Sequence, residues 1–397
     1  MEEWKEYKLG DCVEAVIDNR GKSAPTKPLG EFPLLEINSI GGYYPNYSVI
    51  RKYVDKVTYY TWFRSGHPIC GDILIPTVGT IGIISIMDNH KACIAQNLIA
   101  LRTKKEISNI FIYYFLKSPI VKKQLINLDI GGVQPSIKVP HLLNLSISLP
   151  EKDIQHKIAS ILSSLDDKIE VNRRINENLE QQAQALFRSW FVDFEPFRDQ
   201  PFVESELGMI PEGWRVGTLF DVAEIFDKQR KPLSGKEREG MKRLYPYYGA
   251  TSCMDYVDNY LFDGIYTLIG EDGSVAKEDG SPYMQYVWGK FWVNNHAHIL
   301  QGKNGFSTEM IYVLLSITNI QHLVTGAVQA KLSQANMQKI VLAIPPTNVL
   351  NQVRPVIDSM YETRRGRENE SRRLAELRDT LLPRLMSGEL KVNEIKA

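Results

Sequence analysis

Two loops hold the residues best suited to grip an anionic partner. In DNRGKSAPTK, Arg20, Lys22 and Lys27 follow a short apolar run near the start of the chain. In DKQRKPLSGKEREGMKR, Lys228, Arg230, Lys231, Lys236, Arg238, Lys242 and Arg243 occupy the corresponding place in the second half, opposed after Asp227 only by Glu237 and Glu239. Lysine supplies charge to a phosphate, and arginine can also hold a guanine edge through two hydrogen bonds. A lone basic run is ordinarily a solvated loop. It is the recurrence at matched positions that points to DNA.

Glycine-rich turns come next. Thr77, Gly79 and Thr80 lie in TVGTIG, and Ser274 closes GEDGS. Small residues let backbone approach a ligand closely, and the same residues also make ordinary hairpins. Gln134 in GVQPSIK recurs as Gln329 in AVQAKLS. Glutamine can read adenine, whereas a residue common to both halves also suits a shared scaffold. Contacts that differ between the halves are expected in their divergent middles, around Tyr43 to Arg64 and Tyr245 to Tyr266. His296 and His298 in NNHAH have strand spacing and lack a third ligand at metal-site spacing, so core or backbone hydrogen bonding is the expectation and no metal site is assigned.

Self-contained catalysis finds little support. The only Pro-Pro, in Ile344-Pro345-Pro346-Thr347, has the wrong neighbours for a motif that holds a flipped adenine, and no P-loop occurs. Glu271, Asp272 and Lys277 are the nearest approach to a nuclease carboxylate cluster, and they have no counterpart in the first half. No catalytic residue is assigned. A tether that binds other proteins through long helices without touching DNA is the other alternative.

The elements that position these residues repeat. IPEGWRVGTLFDVAEI, in mid-chain, reads like the opening of a protein, and Trp214-Arg215-Val216-Gly217 matches Tyr7-Lys8-Leu9-Gly10 at an offset of 207. Val13 to Asp18 matches Val222 to Asp227 at 209, and Tyr113 to Leu116 answers Tyr312 to Leu315 at 199. From Gly131 the offset settles at 195 and holds through Leu186/Leu381, so each unit keeps its ends and varies in its middle. Each unit opens with about 140 residues of short strands and turns. A long helix follows, seamed by Ile154, Ile158, Ile161 and Leu165 in one unit and by Val349, Val353, Ile357 and Met360 in the other. A narrow seam interrupted by Asn172, or by Arg364 and Arg367, favours the helices pairing with each other rather than each lying on its own domain. Antiparallel pairing would make them a ruler between two heads. Similar heads with different middles would read a two-part, asymmetric DNA sequence.

Composition sets the outer bounds. At 397 residues, 43% hydrophobic and 24% charged, the chain has room for two ordinary domains. Its 47 basic and 47 acidic residues cancel, so DNA affinity must come from local patches. Residues 1–150 hold 17 basic against 13 acidic, and residues 201–345 hold 13 against 16. Four scattered cysteines with no CxxC pair indicate neither a zinc ribbon nor a disulfide framework, and no apolar stretch approaches a membrane span. A cytoplasmic protein is expected.

One family combines these features. LPEKDIQHKIASILSSLDDKIEVNRRINENLEQQAQALFRSWFVDFEPF, followed by ELGMIPEGWRVGTLFDVAEI, closely resembles the central conserved region of the specificity subunit of Type I restriction-modification enzymes. The resemblance covers essentially the whole chain and implies an α+β protein with two mixed α/β target-recognition domains, 1–150 and 196–345. It implies a central conserved helix at 151–195 and a C-terminal helix and tail at 346–397, the two helices forming an antiparallel coiled coil in a pseudo-twofold tandem repeat. The family implies a non-catalytic subunit that reads double-stranded DNA and recruits two adenine-N6 methyltransferase subunits, with ATP-driven restriction subunits joining them. No cofactor is expected on this chain; S-adenosylmethionine belongs with the methyltransferase, and ATP and magnesium with the restriction subunit. The second helix departs at one position, where Gln155 has Leu350 as its equivalent, with Gln352 nearby.

Overall fold

The computed structural model describes residues 4–21, 23–127, 136–326 and 329–392, so Lys22 and Gln134 lie outside the described residues. The protein is α+β. It divides into two compact units, one of Met1–Arg173 with Asn369–Ala397 and the other of Arg174–Glu368. The division falls inside both long helices, Lys152–Phe191 and Thr347–Met386, each of 40 residues.

The first unit opens with a strand, Lys5–Lys8, that pairs antiparallel with Ser146–Leu149. A four-stranded antiparallel sheet runs in the order Val13–Asp18, Leu98–Thr103, Ile73–Pro76, Ser85–Ile86. Beside it Phe32–Leu35 pairs antiparallel with Tyr53–Val54 and parallel with Cys93–Ile94. Helix Asn109–Lys117 lays Phe111, Ile112 and Leu116 into the core, with Ile158 and Leu162 of the first long helix and Leu382 and Leu385 of the second.

The second unit repeats this plan in a more continuous form. Arg215–Thr218 pairs with Val341–Ile344 as the opening strand does with Ser146–Leu149. One six-stranded sheet follows the order Ala223–Ile225, Ala297–Gly302, Phe262–Gly270, Met284–Val293, Tyr245–Tyr248, Cys253–Val257. Met284–Val293 pairs antiparallel with Phe262–Gly270 and parallel with Tyr245–Tyr248. In the first unit those two roles fall to separate strands, Ser85–Ile86 and Cys93–Ile94. Local chemistry explains the break. Asp88 and Asn89 form a turn in which Asp88 accepts from the His90 amide at 3.0 Å, whereas Tyr286 to Val293 is a run of aromatic and β-branched residues interrupted only at Gly289 and Lys290.

Helix Thr308–Ser316 is the counterpart of Asn109–Lys117, and both are capped by serine. Ser108 Oγ accepts from the Phe111 amide at 3.3 Å and Ser307 Oγ from the Met310 amide at 3.2 Å. Ser307→Ala is expected to cost about 1 kcal/mol, measured as a lowered urea midpoint with unchanged slope.

The long helices serve both roles that the sequence left as alternatives. Within the first unit they run antiparallel, since Asn172 donates to Ser371 at 3.2 Å while Asp166 meets Arg378 further back along the first helix. Their apolar ends enter the domain cores. In the second unit Ala183, Phe187 and Phe191 pack with Val349, Val353, Ile357 and Tyr361 around helix Thr308–Ser316. The polar middles pair with one another: Asn172 is fully buried and also donates to Glu370 at 2.8 Å. In the second unit Arg364 pairs with Glu180 at 3.4 Å and lies over the rings of Tyr286, Tyr312 and Tyr361 at 5.4–5.8 Å. A polar seam set among packed ends fixes register, because a slip would strand these groups without partners.

Candidate DNA interface

The glycine turns of the two units are the same structure. The Thr77 amide donates to Asn97 O at 2.9 Å and Thr77 O accepts from the Ile137 amide at 2.8 Å. The Glu271 amide donates to His296 O at 2.8 Å and Glu271 O accepts from the Leu332 amide at 2.8 Å. Gly79 and Gly273 then both turn the chain at positive φ, 89° and 77°. Thr80 and Ser274 are exposed at the tips. Thr77 is 1% exposed, so its side chain serves the interior and does not reach a ligand at the surface. Gln329 is exposed beside the second turn, where the Gly273 amide donates to Ala330 O at 2.9 Å.

In the second unit the basic loop is tied to this turn. Arg230 was expected at the surface. Instead its side chain is 14% exposed and is engaged by Glu271 at 2.6 Å, Ala297 O at 2.8 Å and Asp227 at 3.4 Å. Behind it His298, 1% exposed, shares its Nδ1 with Asp227 at 2.5 Å and its Nε2 with Leu332 O at 2.7 Å. Gln334 adds a donor to Asp227 at 2.6 Å, and Lys331 lies 3.4 Å from Glu271. Burial pushes the Asp227 and Glu271 carboxyls up, but His298 and Arg230 beside Asp227, and Arg230 beside Glu271, bring both below the ordinary carboxylate range. Arg230 therefore positions the loop and is not free to meet DNA.

The same network decides the metal question. Asp227, Glu271 and His298 bring ligand atoms within 4.8 Å of one another, yet the Arg230 cation lies among the carboxylates and both imidazole nitrogens are engaged. This donor set fits a salt-bridge network rather than a divalent ion. Asp272 is drawn away to His296 at 2.6 Å, so Glu271, Asp272 and Lys277 do not act as one carboxylate cluster.

Arg238 is also folded in. It pairs with Asp255, and its guanidinium lies 5.0 Å from the centre of the Tyr247 ring. Arg243 pairs with the same carboxylate at 2.9 Å and stays 72% exposed. Lys228, Lys231, Lys236 and Lys242 are exposed and make no ion pair among the described residues. With two arginines holding the loop down, these lysines and Arg243 form its outer charged face.

In the first unit Arg20 forks both Asp18 oxygens, with Nε at 2.8 and 2.9 Å, and Lys27 pairs with Asp55 at 3.0 Å. Asn19 binds across to the neighbouring loop, donating to Gly66 O at 3.0 Å and accepting from the Ser65 amide at 3.0 Å. The two loops bound a cleft of about 570 Å³ lined by Asp18, Arg20, Trp62, Arg64 and Ser65. Trp62 and Arg64 fall within the divergent middle, and the sequence alone did not single them out. Gln155 is buried, accepting from the Ser108 amide at 3.1 Å and donating to Pro150 O at 2.9 Å. Its counterpart Leu350 is buried in the core of the second unit.

A duplicated scaffold whose second unit ties a basic loop to its glycine turn is matched by one family description, Type I restriction modification DNA specificity domain, over residues 1–181 and again over 211–355. The chain belongs to this family. Among its relatives, the Type I restriction enzyme MjaIX specificity subunit of Methanocaldococcus jannaschii is 28% identical over 82% of this chain and 79% of its own. The Type I restriction enzyme HindI specificity subunit of Haemophilus influenzae is 26% identical over 66% of this chain and 72% of its own. The crystal structure of the Type I restriction-modification system S subunit from M. genitalium shares the fold, with a TM-score of 0.53 at 18% identity over 97% of this chain and 96% of its own. DNA sequence specificity in a Type I restriction-modification system is thus the role of this specificity chain. No helix among the described residues is long and apolar enough to cross a membrane.

Proposed function

We propose that the chain reads a bipartite, asymmetric DNA sequence, one half-site per unit, and holds the half-sites at a spacing set by the paired long helices. It performs no chemistry itself and recruits two methyltransferase subunits, with restriction subunits completing the assembly in the cytoplasm. S-adenosylmethionine is used by the methyltransferase, and ATP and magnesium by the restriction subunit. The observation that carries this reading is the duplicated turn and strand framework bearing different exposed residues: a lysine-rich loop in one unit and an Asn-, Trp- and Arg-lined cleft in the other. Equal scaffolds with unequal surfaces suit two unlike half-sites.

The helices provide the test. Inserting seven residues after Asn172, with seven more between Glu370 and Ser371, preserves the seam repeat and adds roughly 10 Å of helix. At about 3.4 Å per base pair, the spacer of the methylated motif is expected to lengthen by about three base pairs. A methylated motif of unchanged spacing from the assembled variant would refute the ruler.

A further inference from the structure

We propose that Trp62 and Arg64 form the specificity-determining contact of the first unit, with Arg64 reading a guanine edge and Trp62 packing against the neighbouring sugar or base. The inference rests on the proposed DNA-reading function and says where, in one unit, reading takes place.

Geometry points to this loop. Helix Lys56–Thr61 ends at Trp62, whose amide still donates to Thr58 O at 3.0 Å, and the chain then turns sharply to Gly66 at φ 74°. Across the turn the residues take separate tasks. Phe63 packs inward with Phe32 and Tyr59, and Ser65 Oγ donates to Asp18 O at 2.6 Å. Trp62 and Arg64 are left facing the cleft. Asn19 spends both ends of its amide holding Ser65 and Gly66, so the loop is braced from the opposite wall. A braced loop presents its side chains with little ordering left to be done on binding.

The two cations in the cleft are not equivalent. Arg20 is neutralised by Asp18, whereas Arg64 is exposed and has no carboxylate partner among the described residues. A guanidinium free to offer its planar fork is the group that recognises guanine O6 and N7 together. Trp62 keeps 37% of its surface exposed, and Val57 at 72% and Tyr60 at 63% expose further apolar surface on the helix leading to it. Exposed aromatic surface beside an unpaired arginine fits a polyanion with flat apolar bases better than it fits bulk water. Among the described residues of the second unit, no helix lies between strands Cys253–Val257 and Phe262–Gly270, where this one would fall. Arg64 and Trp62 thus satisfy the requirement that distinguishing contacts differ between units.

The test uses the assembled methyltransferase complex carrying Arg64→Ala, Arg64→Lys or Trp62→Phe. Genome-wide methylation defines the motif, and binding is titrated on duplexes that carry or lack it. For Arg64→Ala, one guanine position in one half-site is expected to become degenerate, with discrimination there falling roughly 10- to 100-fold. Arg64→Lys should recover affinity and leave the position relaxed, and Trp62→Phe should keep the motif at reduced affinity. If Arg64→Ala weakens binding equally on all sequences, lowers the salt slope by about one and keeps the motif, Arg64 touches phosphate and the base-reading assignment falls. Unchanged binding and motif overturn it altogether. Matched thermal melting of variant and parent separates these results from misfolding. A parent complex that shows no sequence-dependent binding would fail the DNA-reading function itself, which is a different outcome from a parent that reads DNA without Arg64.

Discussion

Arg378→Ala is expected to lower the unfolding free energy of the first unit by about 3–5 kcal/mol, the cost of leaving one member of a buried ion pair without its partner. Asp166 exposes 3% of its side chain and Arg378 14%, and the two meet directly. Tyr114 donates to the other Asp166 oxygen at 2.7 Å, and Lys117 stands 3.9 Å away. Burial holds the Lys117 ammonium below its ordinary value despite the attraction of Asp166. Lys117 donates instead to the Tyr113 hydroxyl at 2.9 Å and at 3.9 Å makes no hydrogen bond to Asp166, so it does not replace the Arg378 contact. The pair joins residues 212 positions apart in sequence and locks the second long helix against the first. Thermal and urea denaturation of the single variants and of Asp166→Asn/Arg378→Ala check the account. The double variant should be markedly less unstable than the two single losses added together, because it no longer buries a lone charge. Additive losses would show that the two side chains act independently.

Arg230→Ala is expected to destabilise the second unit by a similar amount, about 3–5 kcal/mol, and to weaken DNA binding as a consequence. Arg230 ties the loop that carries Lys228 and Lys231 to the Glu271 turn. Arg230→Lys should rescue little, since an ammonium cannot reach Asp227, Glu271 and Ala297 O in the same fork. Acid provides a second readout. The folded-state carboxyls of Asp227 and Glu271 lie below their ordinary values of 3.8 and 4.5. Their contribution to stability is therefore complete above those values and lost as pH falls through the lowered ones. The stability of the parent should fall as pH drops below the ordinary Glu271 value of 4.5, and that of Arg230→Ala should fall less. A variant with the parent's melting temperature and acid profile but lower DNA affinity would make Arg230 a direct contact after all.

These two residues mark the limit of what the sequence discloses. Repeat offsets reveal the duplicated scaffold because segments such as Lys5–Lys8 with Ser146–Leu149, and Arg215–Thr218 with Val341–Ile344, must close each unit in the same way. Helix periodicity discloses the long helices, and Asn172 mid-seam signals their pairing, since a buried amide on an apolar stripe needs a polar partner. Charge runs are less informative. Arg230 and Arg238 look like their neighbours in sequence, and only the placement of Glu271 and Asp255 draws them inward. Arg378 looks like an ordinary surface arginine until Asp166 is set against it. Trp62 and Arg64 lie in the segment where the units diverge, so no internal repeat points to them. The Asn19 brace that singles them out depends on loops 46 residues apart.

The most direct measurement is genome-wide adenine methylation in a methylation-free host that expresses this chain with a methyltransferase subunit that assembles with it. A new asymmetric motif in two parts, present with the chain and absent without it, is the predicted result. A stable, correctly assembled complex that methylates no such motif would contradict the account, leaving the fold of the two units intact and removing DNA reading from their basic loops.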